Sequence, residues 1–434
     1  MNETICFALV FIYMVNVTKM KLTMLGAGQE VGKSAILLEG KKSLVMDYGM
    51  KLNDESSDCP LYPIAAEPDA AIISHAHLDH VGGTPALFRK KKIPAFMTDV
   101  TLELSSMLIR DSIKIAKRNK YPVPYGKQEL KRMIESTKFV NYGEKFNVGD
   151  FSCKLFDAGH VPGSAGVLVQ AKDKKIFYTG DIQTLESNLL SPCNLPPKID
   201  VLITECTYGQ KIHPNRKEEM KKFIESVDAC VANETQALIP VFAVGRSQEM
   251  MMLLEKHADL IALDGMAKMA CEIVNDYSAR IKDAKRFRRI LDKVTIIRDH
   301  GEREIATKKF PIIVATAGML TGGPVVHYLR HIKENPENRV IFNGFLIENT
   351  PGRMLLETGF FDNGEERYKV KCKVERYNLS AHTDRSGLFD IIRKTKPHTV
   401  IPVHGDNCEK FAKDVIETFG IEAYAPKNGE KIRL

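Results

Sequence analysis

The chain has 434 residues, which is enough for two domains and too many for one small core. A hydrophobic content of 44% and a charged content of 27% are typical of a globular protein, and the net charge of +7 permits a polyanionic partner without requiring one. The nine cysteines are scattered singly with no CxxC pair, which argues against a disulfide framework and a cysteine-only zinc site and fits a reducing cytoplasm.

The first apolar run, Ile5 to Val15, is eleven residues long, whereas a membrane-spanning helix needs about 20. It also lacks the basic start and the small-residue cleavage site of a secretion signal. From Met20 onward, MKLTMLGAG reads as the first strand of a globular domain. We therefore expect translation to begin at Met20, residues 1–19 to be a misassigned extension, and the protein to work in the cytoplasm without a membrane.

Short, Gly-punctuated runs rich in strand-forming residues fill the first part of the chain and predict β-strands. They are KLTMLGAG, SAILLEG, KSLVMDYG, AAIISHAH, FSCKLFDAGH, GVLVQAKDKKIFYTGD and DVLITECTYG. Between them, GGTPALFRKK predicts a helix with Thr84 as its N-cap and Pro85 at its first position. The stretch GAGQEVGKS predicts a turn rather than a nucleotide-binding loop, because Ala27 and Val31 stand where such loops need glycine.

From about Lys217, helical and strand patterns alternate, as in RKEEMKKFIESVDACVAN, ALIPVFAV and SQEMMMLLEKHA. The alternation runs to RVIFNGF and predicts a parallel α/β unit. Beyond it, VKCKVERYNLSAH and TVIPVHGD again end strands in histidine. We therefore predict a β-rich domain over residues 20–207 and 356–434, split by an inserted α/β domain over residues 208–355.

The stretch HAHLDH places four residues with metal-ligand chemistry in six positions. His75 and His77 alternate along a strand end, so their side chains point to one face, and Asp79 and His80 lie in the following turn. Imidazole and carboxylate groups bind zinc, and a catalytic zinc keeps one position open for water. The cluster therefore predicts a metal site that needs further ligands from elsewhere in the chain.

Three further candidate ligands stand at the ends of other predicted strands, each before a glycine or a turn. They are His160 in DAGHVPGSAG, Asp181 in YTGDIQ and His404 in VHGD. Each signal is weak alone, but together with HAHLDH they predict a site for two metal ions.

These motifs resemble those of a known family. HAHLDH, GHVPGS and TGD match the metallo-β-lactamase fold, and Asp47 in VMDYG stands where that fold has an early buried aspartate. TECTYG, NLSAHTD and VIPVHGD resemble motifs A, B and C of the β-CASP nucleases, and VFAVGRSQEMMMLL, VATAGMLTGGP and FNGFLIENTPGRMLL are similar to stretches of the β-CASP insert. The resemblance covers Met20 to Leu434 and is strongest to archaeal relatives of the cleavage and polyadenylation specificity factor nuclease, without their KH domains. It implies an α/β fold, an αββα sandwich split by an inserted α/β β-CASP domain.

The resemblance also implies two zinc ions per chain and a role for each candidate ligand. It assigns one zinc to His75, His77 and His160, the second to Asp79, His80 and His404, and the bridging position to Asp181. Asp47 would accept a hydrogen bond from a ligating imidazole and fix its tautomer.

Hydrolysis of a phosphodiester requires protonation of the departing oxygen, which a histidine near its usual pKa can provide. His382 in LSAHTD is the candidate general acid, and Glu205 in TECTYG would orient its ring and raise its protonated fraction. The family's motifs A and B imply the same pair. The expected products carry a 5′-phosphate and a 3′-hydroxyl.

Substrate contacts are predicted at two positions. Arg246 precedes a helix, where a basic side chain and free backbone N–H groups favour phosphate, and Ser380 could donate its hydroxyl to a neighbouring phosphate. The ordinary alternatives are helix capping for Arg246 and turn stabilisation for Ser380. Histidine at position 404 favours single-stranded RNA over DNA as the substrate, since DNA-processing relatives typically lack histidine in motif C.

Other functions stay open from the sequence alone. A small-molecule hydrolase of the lactamase or thioesterase kind would need HAHLDH but not an inserted domain with Glu205 and His382. A non-catalytic RNA-processing scaffold would have lost its metal ligands, and a DNA-directed β-CASP nuclease is a third alternative. Endonucleolytic and 5′-to-3′ exonucleolytic cleavage are both compatible with the motifs. The C-terminal segment YAPKNGEKIRL leads us to expect a homodimer, as in archaeal relatives.

Overall fold

A computed structural model describes residues 20–52, 57–58, 60, 67–122, 124–171 and 174–434. The predicted start at Met20 concerns residues 1–19, which lie outside this range, and it stays a prediction. Among the described residues, every helix is too short or too polar to cross a membrane.

The first part of the chain contains most of the strands. In chain order its elements are β1 (Lys21–Gly26), β2 (Ala35–Glu39), β3 (Ser43–Met46), β4 (Lys51–Leu52), β5 (Ser57–Asp58), β6 (Ala70–Ile72), α1 (Leu78–Val81), a 3-10 helix (Thr84–Phe88), β7 (Ala95–Met97), α2 (Asp99–Asn119), α3 (Lys127–Ser136), β8 (Thr137–Phe139), β9 (Lys145–Val148), β10 (Phe151–Asp157), β11 (Ala165–Ala171), β12 (Lys174–Tyr178) and β13 (Val201–Glu205).

Helices and strands alternate in the middle of the chain. In order these elements are α4 (Arg216–Ala232), β14 (Ala237–Pro240), α5 (Arg246–Leu253), a 3-10 helix (Glu255–Leu260), β15 (Ile261–Asp264), α6 (Met266–Asp276), a 3-10 helix (Ser278–Arg280), α7 (Ala284–Leu291), β16 (Thr295–Ile296), α8 (His300–Lys309), β17 (Ile312–Ala315), α9 (Pro324–Ile332), β18 (Arg339–Phe342), α10 (Pro351–Thr358), β19 (Phe360–Asp362), β20 (Arg367–Lys369) and β21 (Lys373–Arg376). The remaining elements are α11 (Arg385–Thr395), β22 (Thr399–Val403), α12 (Cys408–Phe419), β23 (Glu422–Ala423) and β24 (Lys431–Arg433).

Two seven-stranded sheets form a sandwich. The first has the strand order β24-β1-β2-β3-β6-β7-β8, and the second has the order β23-β22-β13-β12-β11-β10-β9. Alternate residues of facing strands, such as Leu22 and Leu38 from the first sheet and Leu155 and Val167 from the second, form one buried apolar cluster between the sheets. This period-two pattern confirms the predicted β-rich domain.

Helices cover the outer face of each sheet. Leu102 and Ile109 of α2 pack with Val45 and Ala71 on the outside of the first sheet, and α11 and α12 cover the second sheet in a separate cluster. The arrangement is the predicted αββα sandwich. One local detail differs from the prediction: the helix after HAHLDH is a 3-10 helix with Gly83, not Thr84, as its N-cap. The Thr84 hydroxyl instead donates to the carbonyl of Tyr48.

The inserted domain is built on a six-stranded parallel sheet with the order β16-β15-β17-β14-β18-β21. Alternate strand residues enter different cores, so Ile239 and Ile312 pack with α4 to α7 on one face while Leu238 and Ile313 pack with α8 to α10 on the other. Burial on both faces is what parallel strands require. The pairing continues to Arg376 in β21, which lies beyond residue 355, where the sequence-based division ends this domain.

Candidate metal centre

The second sheet of the sandwich brings three titratable residues to one edge. Its strands β12, β13 and β22 are parallel neighbours, with Glu205 opposite Val403, so their carboxyl ends lie side by side. Asp181 comes just after β12, Glu205 ends β13, and His404 follows β22 directly. We call this edge of the second sheet, with Asp181, Glu205 and His404, the sandwich edge.

The first sheet supplies the other side of the site. Strands β3 and β6 are parallel, and Asp47 follows β3 while His75 follows β6. His77 is the N-cap residue of the single-turn helix α1, which contains Asp79 and His80. The short helix turns the chain back, so all four polar residues of HAHLDH reach the same end of the sandwich.

His160 lies in the loop between β10 and β11, and this loop is fixed by its glycines. Gly163 has a φ of +82°, and a Cβ there would lie 2.3 Å from a side-chain carbon of Val100 at the start of α2. The hydroxyl oxygen of Ser164 accepts a hydrogen bond from the backbone N–H of His160 at 3.1 Å. The loop therefore packs tightly on α2 and directs His160 inward, where its side chain is almost fully buried.

Three imidazoles converge on one oxygen of Asp181. Nδ1 of His77 lies 3.2 Å from Nε2 of His75 and 3.2 Å from Nε2 of His160. Nε2 of His75 and Nε2 of His160 are each 3.5 Å from Oδ2 of Asp181. Donor atoms at Zn–N distances of about 2.0–2.1 Å from one tetrahedral ion would be about 3.3 Å apart, so this spacing fits a shared metal.

The other oxygen of Asp181 faces a second group. Oδ1 of Asp181 is 3.2 Å from Nε2 of His80 and 3.6 Å from Nδ1 of His404. Nε2 of His404 is 3.3 Å from Oδ2 of Asp79. The structure thus brings all seven residues predicted as ligands together, with Asp181 between the two groups.

The residues present fit a metal. The Oδ1 atom of Asp181 is buried and accepts no hydrogen bond from the described residues, although a buried carboxylate oxygen is costly without a donor or a cation. Burial holds the pKa of His75 and His160 well below the usual range, which leaves these imidazoles neutral and free to coordinate. Burial opposes the charged form of His80, but the carboxylates of Asp181 and Asp47 outweigh it and raise the pKa of His80.

A second layer of hydrogen bonds orients the imidazoles. Asp47 accepts bonds at 2.7 Å from Nδ1 of His80, at 2.7 Å from the Ser74 hydroxyl and at 2.8 Å from the Tyr178 hydroxyl. It adopts a φ of +56°, a strained conformation for an aspartate, and is fully buried. His160 donates through Nδ1 to the carbonyl of Ala381 at 3.0 Å.

His382, which is partly exposed, pairs with the buried Glu205 beside Asp181. Nδ1 of His382 lies 3.0 Å from both carboxylate oxygens of Glu205 and 3.9 Å from Oδ2 of Asp181. The backbone N–H of Ile182 donates to Glu205 at 2.8 Å and fixes the carboxylate. Burial alone would lower the pKa of His382, but the carboxylates of Glu205 and Asp181 outweigh it and raise the pKa to about 9.

Two residues that hold the His382 loop were not predicted. Gln183 donates through Nε2 to the carbonyls of Ser380 and His382 at 3.2 and 2.9 Å. Arg216 donates through Nη1 to the Ser380 carbonyl at 2.8 Å. Both contacts join segments more than 160 residues apart, and no local sequence pattern marks them.

The two predicted RNA contacts lie against the same loop. Arg246 is the first residue of α5, and its guanidinium donates to the carbonyl of Leu379. Its Nε atom is buried without a partner among the described residues. The hydroxyl oxygen of Ser380 accepts from the backbone N–H of His382 at 3.1 Å, which is the turn-stabilising contact weighed in the sequence analysis.

A cavity of about 330 Å³ opens next to His382. It is lined by Tyr208, Lys211, Ile212, His213, Gly344, Phe345, Arg353, Arg376 and Asn378. Tyr208 connects the cavity to the His382–Glu205 pair, since its ring centre lies 6.2 Å from that of His382 and 6.0 Å from that of Phe345. Aromatic rings together with guanidinium groups are the side chains that hold single-stranded nucleic acid.

The fold and the site define a metal-dependent hydrolase of the metallo-β-lactamase type with an inserted β-CASP domain. Three family models match the chain. The Beta-Casp domain model covers residues 247–355, the model for the Zn-dependent metallo-hydrolase RNA specificity domain covers residues 367–426, and the model for the anti-Pycsar protein Apyc1 covers residues 20–229.

Curated relatives extend this result to the whole chain. The probable RNase MJ4 of Methanocaldococcus jannaschii is 37% identical over 96% of this chain and its own full length. RNase aCSPSF2 of Saccharolobus solfataricus is 32% identical over 95% of this chain and 85% of that protein. The transcription termination factor FttA of Pyrococcus horikoshii is 33% identical over 95% of this chain and 71% of that protein. The chain belongs to the β-CASP family of metallo-β-lactamase-fold ribonucleases.

A solved structure of a protein of unknown function from Enterococcus faecalis V583 has the same fold. It superposes with a TM-score of 0.62 over 96% of this chain and all of that one, at 16% sequence identity. At this identity the likeness shows the fold alone.

Proposed function

We propose that this ribonuclease is zinc-dependent and hydrolyses single-stranded RNA to products with 5′-phosphate and 3′-hydroxyl ends. The observation that carries the proposal is the convergence of residues from distant loops on one buried carboxylate. His160 and His404 reach Asp181 beside the HAHLDH turn, at 3.5 and 3.6 Å. A scaffold protein without catalysis has no need to bury this group of titratable side chains together.

Two zinc ions would be held by the two groups of ligands on either side of Asp181. We assign one ion to His75, His77 and His160, the other to Asp79, His80 and His404, and the bridging role to Asp181. When bound, zinc supplies Lewis-acid activation of water and neutralises charge on the phosphate. Asp47 supports the site by holding Nδ1 of His80, which leaves Nε2 of that ring for the metal.

His382 is the proposed general acid. A water molecule releases one proton to solvent as its oxygen attacks phosphorus, the bond from phosphorus to the ribose 3′-oxygen breaks, and the proton from Nε2 of His382 passes to that oxygen. His382 then regains a proton from solvent. Glu205 accepts from Nδ1 and so fixes which nitrogen faces the substrate. With a pKa of about 9, His382 carries this proton at neutral pH.

The RNA backbone is proposed to pass between the sandwich edge and the start of α5. Arg246 places a guanidinium at a helix N-terminus. The Ser380 hydroxyl would donate a hydrogen bond to a phosphate while its oxygen still accepts one from the backbone N–H of His382. The cavity at Tyr208 and Phe345 would take a base from the same strand.

The domain division and the assembly are also proposals. We assign residues 20–207 and 356–434 to the metallo-β-lactamase domain and 208–355 to the β-CASP domain, whose sheet pairing continues into β21. Strand β24 is the edge strand of the first sheet, and its outer side offers backbone groups for pairing with a second copy. We therefore propose a cytoplasmic homodimer, and a monomeric mass in light scattering would contradict that assembly.

End-labelled RNA tests the activity directly. Single-stranded RNA with a 5′-monophosphate or a 5′-triphosphate, and a DNA of the same sequence, would be incubated with the protein before and after chelation and after zinc is restored. We expect RNA cleavage that stops on chelation and returns with zinc. Internal fragments from both RNAs indicate an endonuclease, and mononucleotides from the monophosphate RNA alone indicate a 5′-to-3′ exonuclease.

The same assay contains the outcomes against the proposal. Cleavage of DNA in preference to RNA would make the chain a DNA-directed nuclease. A chain that binds RNA and zinc but cleaves neither substrate would be a scaffold.

A further inference from the structure

A second cluster of metal-ligand residues lies outside the metal centre, on the inserted domain. Helix α8 carries His300 and Glu304, and helix α9 carries His327 and His331. Each pair is spaced four residues apart, which places both side chains on one face of their helix. The two faces meet, because rings of His300 and His327 are 5.4 Å apart and those of His327 and His331 are 4.6 Å apart.

The donor atoms of His300, Glu304 and His327 all lie within 4.8 Å of one another, and His331 is next to Glu304. Nε2 of His327 lies 3.3 Å from Oε1 of Glu304, and Nε2 of His300 lies 3.8 Å from the same oxygen. Nε2 of His331 lies 3.9 Å from Oε2 of Glu304. Ligands of one tetrahedral zinc are about 3.3 Å apart when the Zn–N distance is about 2.0–2.1 Å, so small rotations of exposed side chains close the site.

A buried network fixes the two helices below the cluster. Asp264, at the end of β15, accepts two hydrogen bonds from Arg303 at 2.6 and 3.1 Å and one from the Tyr328 hydroxyl at 2.9 Å. Arg303 precedes Glu304 on α8, and Tyr328 follows His327 on α9. The backbone that carries the ligands is therefore already in place before any metal binds, which lowers the cost of binding.

Hydrogen bonding does not account for the position of His327, although its ring lies close to Glu304. Its Nε2 atom is buried and makes no hydrogen bond with the described residues. A single carboxylate, Glu304, also faces three imidazoles, which is a donor set that suits a divalent transition metal.

We propose that His300, Glu304, His327 and His331 bind one zinc ion that joins α8 to α9, in addition to the metal centre. An ion held only by the folded protein stabilises that fold by mass action. Its role is to stabilise the face of the inserted domain that α8 and α9 cover. None of these four residues belongs to the metal centre, so RNA cleavage does not depend on this ion.

Counting metal ions tests the proposal. Wild-type protein, the double variant His327→Ala/His331→Ala and the control His398→Ala would be stripped with chelator, dialysed against buffered micromolar zinc and analysed for zinc per chain. His398 is a suitable control because it is an exposed histidine beside one carboxylate, Asp200. We expect the double variant to bind one ion fewer than the wild type and the control, whatever number the metal centre holds.

Two further measurements separate this site from the metal centre. Zinc should raise the melting temperature of wild-type protein more than that of the double variant, while both cleave RNA at the same rate under zinc saturation. In the triple variant His75→Ala/His80→Ala/Asp181→Ala, which removes ligands from both groups of the metal centre, cobalt titration should still give the absorption bands of one tetrahedral ion, and Glu304→Gln in that background should remove them. Equal zinc content in wild type and double variant, or cobalt bands that survive Glu304→Gln, would overturn the proposal.

Discussion

Two aspartates at the ends of buried strands have opposite surroundings. Asp181 follows β12 at the sandwich edge, where its Oδ1 atom is buried without a donor from the described residues. Asp264 ends β15 in the inserted sheet, where Arg303, Tyr328 and the backbone N–H of Gly265 donate to it. An aspartate at the carboxyl end of a strand can thus be suited to bind a cation or to stabilise the fold. The number of hydrogen-bond donors around its carboxylate distinguishes the two roles.

The inserted sheet follows the same principle at its other strand ends. Asn343, after β18, donates to the carbonyl of Pro240, and Arg246 holds the carbonyl of Leu379. These groups are amides and guanidinium ions rather than carboxylates and imidazoles. The titratable residues are therefore gathered at the sandwich edge, and Arg216 and Arg246 of the inserted domain hold the loop that bears His382.

The largest expected effect is at Asp181. Asp181→Ala should lower RNA cleavage by about 10³-fold or more, because the bridging carboxylate supports both metal groups and several kcal/mol of transition-state stabilisation depend on the metals. Zinc content should fall as well, which elemental analysis would measure. Cleavage within tenfold of wild type would show that Asp181 is another structural aspartate.

Asp264→Asn is the matched test of the opposite role. The change weakens the charged hydrogen bonds to Arg303 and should lower the free energy of unfolding by about 2–3 kcal/mol, measured by urea denaturation. Cleavage by the folded protein should stay within a few-fold of wild type. If Asp264→Asn abolished cleavage without loss of stability, the distinction between the two aspartates would be wrong.

His382→Ala tests the residue that links the two regions, because its loop follows β21 of the inserted sheet and its partner Glu205 ends a sandwich strand. We expect cleavage to fall by about 10²–10⁴-fold, as for loss of a general acid, with zinc content unchanged. Metal content and single-turnover rate would be measured on the same preparation. Loss of zinc in this variant would identify His382 as a ligand instead.

Asp47→Asn should reduce cleavage less than Asp181→Ala and His382→Ala. It tests whether the hydrogen bonds that orient the proposed ligands matter for zinc binding. The amide can no longer accept equally from His80, Ser74 and Tyr178, so zinc affinity should fall by about 10–100-fold. A competition titration with a chromophoric chelator would measure it. Excess zinc should restore most of the cleavage rate, and a defect that zinc does not restore would place Asp47 in the chemistry itself.

The smallest expected effect is on the substrate side. Phe345→Ala should raise KM by about tenfold with little change in kcat, because stacking of one base contributes about 1–3 kcal/mol. Phe360→Ala is the control, since its side chain is exposed to the same degree, 37% against 36%, but lies outside the cavity. Equal KM values for the two variants would contradict a base-binding role for the cavity.

Much of this architecture could be predicted from the sequence. Short, Gly-punctuated runs that end in titratable residues indicated the sandwich strands, and the helix–strand alternation indicated the inserted parallel sheet. The positions of Asp181 and His404 at strand ends, each before a glycine or a turn, together with the family resemblance, also predicted that they join HAHLDH in one site. The structure gathers the seven candidate ligands into two groups, and Asp181 of the first group lies 3.2 Å from His80 and 3.6 Å from His404 of the second.

Other features depend on contacts that no local pattern contains. Gln183 and Arg216 look like ordinary polar residues until the His382 loop packs against them. Strand β21 lies beyond residue 355 but pairs at the edge of the inserted sheet. It is short and polar, so its sequence lacks the apolar pattern that would have assigned it to that sheet. His300 and His327 likewise meet only because α8 packs beside α9.

The pairing of β1 with β24 sets an order of assembly. Gly28 donates to Asn428, 400 residues away, and the backbone N–H of His404 donates to Ala27. The inserted domain is continuous in the chain and can fold as a unit during synthesis, whereas the first sheet stays incomplete until its most distant strand has left the ribosome. A nascent chain therefore lacks the complete set of proposed metal ligands while it is still next to its own messenger RNA, and we expect it to be unable to cleave that RNA.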